Sequence, residues 1–133
     1  MTELTGREKA LIRSAMRAID IPSNWDTGHD MWITRAGDRF QIRKMDNGHL
    51  LNSIRLVMRF ARVQMLNLAW SMDYYAATTH AEMASYYAEQ EANQMYTDAS
   101  SDGEVYNFCM ENIRKFKRLD AERQKRNLEL LPL

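Results

Sequence analysis

Residues 46–72 read DNGHLLNSIRLVMRFARVQMLNLAWSM, and their periodicity decides the fold. Leu50, Ile54, Val57, Met58, Ala61, Met65, Leu68 and Met72 recur at three- and four-residue steps, which places them on one face of an α-helix. A strand would instead alternate at every second residue. Asp46 supplies the start, because its carboxylate can accept the free amides of Gly48 or His49. The pattern passes Tyr74 and Tyr75, and a break is expected near Ala77 to Thr79, where Thr79 and Glu82 have capping-box spacing.

Two further helices follow. The next turns Met83, Ala84, Tyr87, Ala88 and Met95 inward and leaves Glu82, Glu89, Gln90, Asn93 and Gln94 outside. Thr97 to Gly103 reads as a loop, and Asp102 caps a last helix whose apolar stripe is Val105, Tyr106, Cys109, Ile113 and Phe116. Upstream, Trp32, Ile33 and Thr34, a turn at Ala36, Gly37 and Asp38, and the alternation of Phe40 and Ile42 with Arg39, Gln41 and Arg43 predict a β-hairpin. Such a hairpin is marginal alone, so its Trp32, Phe40 and Ile42 face must rest on a helix or on another chain. Pro22 to Met31 has turn chemistry. Met1 to Ile21 reads as an extra N-terminal helix, with Thr5 and Glu8 at capping-box spacing and Leu4, Leu11, Ile12, Ala15, Met16 and Ile19 on one side.

The expected fold is therefore mainly α, with long antiparallel helices and one small β-hairpin in the N-terminal half. With 133 residues a single domain is expected, comprising the N-terminal helix (1–21), the hairpin (32–43), a helical core (47–119) and a basic tail (120–133). The last residues, Leu128 to Leu133, either fray or dock on a neighbour.

Net charge is zero, the sum of three unlike blocks. Met1 to Val63 holds eleven bases and seven acids, Gln64 to Ile113 eight acids and no Lys or Arg, and Arg114 to Leu133 seven bases and three acids. Such a chain can neutralise itself by packing its middle against its ends, within one copy or across a dimer. The uncompensated acids argue against binding DNA or RNA. The single cysteine, Cys109, excludes an internal disulfide and fits a reducing compartment. No apolar run reaches the roughly 20 residues of a membrane span, and a cytoplasmic protein without a membrane partner is expected.

Catalytic signatures are missing from the sequence. His29, His49 and His80 are scattered without metal-ligand spacing, so no metal or other cofactor is expected. Cys109 lies on an apolar helix face, where burial silences a thiol. No phosphate-cradling glycine loop or nucleophile elbow occurs, and an enzyme is not expected. The arginines are more informative. Arg55, Arg59 and Arg62 stand at i, i+4 and i+7 on the long helix, Arg35, Arg39 and Arg43 on the hairpin, and Arg114, Lys115, Lys117 and Arg118 on the last helix. Guanidinium groups grip phosphates bidentately, and Tyr74, Tyr75, Tyr86, Tyr87 or Tyr96 can stack on a base. The same residues equally make a solubilising face and core contacts.

Trp32, Thr34, Gly37, Ile42, Met45, His49, Leu50, Asn52 and Ile54 together resemble the opening of a widespread family of small phage proteins. Glu82-Met83-Ala84, Tyr86-Tyr87-Ala88-Glu89-Gln90 and Tyr106 agree with it, so the likeness covers about Trp32 to Leu119. The family it resembles is identified as including the Thoeris anti-defence sponges, which oligomerise and sequester cyclic nucleotide-like immune signals without degrading them. The resemblance implies an aromatic and an Asn on the middle helix closing, with basic residues of a partner chain's last helix, on an ADP-ribose-type ligand. Tyr87, Asn93, Arg114 and Arg118 match that pocket best, and Arg35, Arg55 and Arg59 offer a second anion site. Two features depart from the family: the extra segment before Ile21, and Glu104-Val105 where Tyr-Pro would precede the last helix.

The expected function is thus sequestration of a cyclic nucleotide signal, of the cyclic ADP-ribose type or a cyclic oligonucleotide, by a homodimer or higher homo-oligomer that does not cleave it. The alternative is a phage adaptor that inhibits a host protein through the acidic middle helix, with Glu82, Glu89 and Glu91 in contact.

Overall fold

The computed structural model describes residues 21–133. The helix expected over Met1 to Ile21, with its Thr5 and Glu8 cap, falls on residues 1–20, outside the described part. From Ile21 onward the elements are a 3-10 turn at Ser23–Trp25, strands β1 (Met31–Ile33) and β2 (Arg39–Gln41), a second 3-10 turn at Ile42–Lys44, and helices α1 (Asn47–Thr78), α2 (Glu82–Ala99), α3 (Asp102–Asn112) and α4 (Arg114–Lys125). Mainly α with one small antiparallel hairpin is the architecture the periodicities predict.

Asp46 starts α1 as expected, its Oδ1 accepting the amide of His49 at 2.7 Å. The helix then runs unbroken to Thr78. Thr79 does not cap the next helix: its hydroxyl accepts the Ala81 amide at 3.3 Å, and α2 begins at Glu82 without a side-chain cap. The expected Thr97 to Gly103 loop shrinks to Ser100 and Ser101, with Ser101 taking over the capping assigned to Asp102 by accepting the Glu104 amide at 3.4 Å. The expected last helix is two helices, because Ile113 is extended (φ −122°, ψ 103°) while its side chain stays buried. The first six residues of the basic tail are helical, since α4 continues to Lys125.

Contacts divide the described chain into two compact units, Arg62–Val105 and residues 21–61 with Tyr106–Leu133. In the first, Arg62 Nε donates to the Ala99 carbonyl at 2.8 Å, and Ser85 Oγ to the Ala76 carbonyl at 2.5 Å. These ties join the middle of α1 to the end of α2 and the end of α1 to the start of α2, so the two run antiparallel. Ala84, Ala88, Ala92, Met95 and Ala99 are the buried stripe of α2, and Met65, Ala69 and Met72 that of α1.

In the second unit the hairpin pairs Met31 with Gln41, Trp32 with Phe40 and Ile33 with Arg39. Gly37 closes the turn at φ +91°, a conformation that glycine adopts without a Cβ penalty. Ile42 leaves the strand for the 3-10 turn yet is fully buried, and the core of this unit also holds Trp32, Leu50, Ile54, Val57, Met58, Ile113, Phe116 and Leu119. Phe40 stays 37 % exposed and meets the His49 ring edge-on at 4.6 Å, so His49 is a packing residue between hairpin and helix. Near the chain end Leu128 is tied back to α4, its carbonyl accepting from Arg123 Nη1 at 2.8 Å. Asn127 adopts φ 57°, its amide donates to Gln124 O, and the Leu128 amide donates to Arg123 O, a Schellman stop for α4.

Candidate functional site

The segment from Pro22 to Met31 has few apolar residues, so its shape depends on hydrogen bonds and one large anchor. Trp25 is that anchor, stacked on Trp32 at 5.9 Å and edge-on to Phe60 at 4.9 Å. Asn24 Nδ2 donates to the Ile33 carbonyl at 3.1 Å, fixing the loop to the hairpin. The loop then arches over α4, where Lys115 is 5 % exposed. Lys115 Nζ donates to the carbonyls of Gly28 and Met31, each at 2.7 Å, and of Thr27 at 3.5 Å. Burial pushes its pKa below the usual lysine value, against the opposing charges of Asp30 and Asp26. An ammonium has three N–H donors, so Lys115 is saturated by the loop it holds.

Arg118 is likewise engaged. Its Nε and Nη2 donate to Asp30 Oδ1 at 3.0 and 2.5 Å, and its Nη1 to Glu122 Oε2 at 3.2 Å. A phosphate reaching Arg118 must displace Asp30 from it. Arg114 stands differently: it is exposed and makes no ion pair among the described residues. Arg114, Lys115 and Arg118 line a cavity of about 180 Å³ with Trp25, Asp26, Thr27 and His29. One loop and one turn of helix thus build a concavity with an apolar wall, a saturated cationic floor and a free guanidinium at its edge.

The other expected ligand residues lie elsewhere. Tyr87 and Asn93 are on α2 in the other unit, Tyr87 half-buried against Tyr86 and Asn93 exposed. Arg35 and Arg59 are exposed, while the buried Nε of Arg55 has no hydrogen-bond partner. Of the arginine stripe on α1, Arg62 is committed to Asp102 at 2.5 Å and to Ala99. Arg123 pairs with the fully buried Asp120 at 2.7 Å, and Asp120 also accepts from Tyr106 and Gln124. Arg126 donates to Glu122 and to the carbonyls of Ile42, Arg43 and Met45, closing the 3-10 turn onto α4.

Burial pushes the Cys109 thiol up to about 12, so it carries no thiolate at neutral pH. Among the described residues no three His, Cys, Asp or Glu side chains gather as a metal site requires, and no helix is long and apolar enough to cross a membrane. Sequence reasoning overlooked Trp25, Asp26, Thr27 and His29 as cavity walls. The only signal they give is the dense turn chemistry of Pro22 to Met31. Comparison with protein-family models, curated proteins and solved structures finds no match to this chain.

Proposed function

We propose that this chain is a non-catalytic binding protein of the phage anti-defence kind, which retains a cyclic ADP-ribose-type nucleotide in the host cytoplasm without cleaving it. One observation carries the reading: the unpaired guanidinium of Arg114 stands at the edge of a walled cavity whose other cations are already satisfied. The loop is therefore held in shape before any ligand arrives, and Arg114 is the charge left for an anion. At about 180 Å³ the cavity fits one anionic group and falls below the roughly 300 Å³ at which whole-ligand pockets begin. The rest of the ligand must lie on other surfaces. Tyr87, Asn93 and a homo-oligomeric partner enter through the family resemblance. Arg118 acts in this reading as the brace for Asp30.

The test is to incubate purified protein with cyclic ADP-ribose isomers and cyclic oligonucleotides, remove unbound ligand, denature, and identify what is released. Intact ligand from the wild type and at least tenfold less from Arg114→Ala is the expected result. Release of no ligand defeats the proposal, and release of a cleaved product makes the chain an enzyme.

A second reading, inhibition of a host protein by direct binding, is favoured by a different observation. Trp70 and Tyr74 are 63 % and 61 % exposed on a unit rich in carboxylates. Contiguous exposed apolar surface marks an interaction site more often than scattered single residues do.

A further inference from the structure

Trp70 and Tyr74 are one helical turn apart on α1, so their rings lie along the same face. They stack at 5.7 Å with planes 17° apart, which makes them one extended aromatic surface. That surface is a wall of a cleft of about 480 Å³, completed by Asp73, Ala76 and Ala77 of α1 and by Ser85 and Glu89 of α2. The Ser85 to Ala76 hydrogen bond ties the two helices together at the cleft, so its two walls are held at a set separation.

Charge decides what fits. Residues 64–113 contain no Lys or Arg, and among the described residues no ion pair reaches Asp73 or Glu89. The base that precedes it, Arg62, is spent on Asp102 and the Ala99 carbonyl. Asp73 is felt by Tyr96, whose phenol is held above its ordinary value by burial and then by the Asp73 charge and hydrogen bond. An apolar occupant would strip water from two carboxylates and give nothing back. An anionic one would be repelled. A planar cation satisfies both parts at once, stacking on the rings while its N–H groups meet the carboxylates.

We infer that the Trp70, Tyr74, Asp73 and Glu89 cleft receives an arginine side chain from a basic segment of a partner protein. The inference rests on the second functional reading and is independent of the nucleotide cavity. Arginine suits the cleft better than lysine, because a guanidinium is flat, weakly hydrated and forked, whereas an ammonium is a compact hydrated point charge. At 480 Å³ the cleft admits a whole side chain with its flanking backbone.

The protein provides its own reporter. Trp25 and Trp32 are 6 % and 2 % exposed, so the red edge of the tryptophan emission belongs to Trp70. Full-length protein is titrated with a capped tetra-arginine peptide, with tetra-lysine and tetra-glutamate peptides of the same length as comparisons. The expected result is a saturable change at the red edge, tightest for tetra-arginine, absent for tetra-glutamate and weakened by added salt. Its affinity should fall at least tenfold in the Asp73→Asn, Glu89→Gln double variant and stay unchanged in Arg114→Ala. Trp70→Phe, which keeps an aromatic ring, should abolish the red-edge signal but keep binding by calorimetry. The inference is overturned if no saturable change appears at millimolar peptide, or if the double variant binds equally. It is also overturned if the red edge shifts with protein concentration alone while the mass doubles, which would give the face to a second copy. A host protein captured equally by wild type and Trp70→Ala would leave the second reading standing and remove this cleft from it.

Discussion

At the scale of single residues, basic side chains act as clasps. Lys115 holds three carbonyls of the Thr27 to Met31 stretch from a position 84 to 88 residues away in the chain. Lys115→Met keeps the length of the stem but leaves those carbonyls without their donor. We expect a loss of about 2 kcal/mol in denaturant unfolding, together with faster hydrogen exchange at the Met31 amide. Stability unchanged within about 0.5 kcal/mol would show that water replaces the ammonium without cost. Glu122 is the matching acid. Burial works to raise its pKa, but hydrogen bonds from Arg126 and Arg118 outweigh burial and hold the carboxyl below its ordinary 4.5. A carboxylate with a lowered folded-state pKa contributes stability that is complete above the unfolded value and is lost as pH falls through the folded one. Glu122→Gln should therefore lower stability at neutral pH and flatten the acid limb below about pH 4.5. Parallel wild-type and variant curves from neutral to acid would contradict this sign.

At the scale of elements, Asp46 is the cap that the sequence predicted and the structure shows. Asp46→Ala should cost about 1 kcal/mol in unfolding free energy, with Asp46→Asn recovering most of it, because either side chain can accept the His49 amide. Loss in both variants would mean that the charge near the helix start matters more than the hydrogen bond. The long helix was legible because its eight marked apolar positions keep one period, and all but Leu68 are buried. The division between α3 and α4 was not legible for the opposite reason. Ile113 breaks the backbone but remains 1 % exposed, so the stripe from Val105 to Phe116 shows no interruption in hydrophobicity. The cap of α3 was misread because two capping residues competed: Ser101, one residue before Asp102, accepts the helix amide instead. The cavity was half legible. Arg114 and Arg118 stood out by type, but no periodicity tells that Lys115 turns inward beneath a loop, or that Asp30 claims Arg118.

At the scale of the molecule, charge among the described residues is sorted between the two units. Residues 62–105 carry Arg62 against seven acids, while residues 21–61 and 106–133 carry thirteen bases against eight acids. The attractive pairs are largely sheltered: Arg118, Arg123 and Arg126 meet Asp30, Asp120 and Glu122 with side chains mostly out of water. The repulsive set is the exposed one, with Glu82, Glu89, Glu91 and Glu104 all facing solvent. Salt screens exposed charges within a Debye length of about 10 Å at 0.1 M and reaches sheltered pairs far less. Added salt should therefore remove more repulsion than attraction. Raising NaCl from about 20 to 200 mM, below the range where ion-specific effects on burial dominate, should raise Tm by about 2–4 °C. Charge-neutralising Glu82→Gln, Glu89→Gln and Glu91→Gln together should raise Tm at low salt and abolish the salt response. A Tm that falls with salt would mean that long-range attraction between unlike charges outweighs the acidic self-repulsion, and the triple variant would then be destabilised rather than relieved.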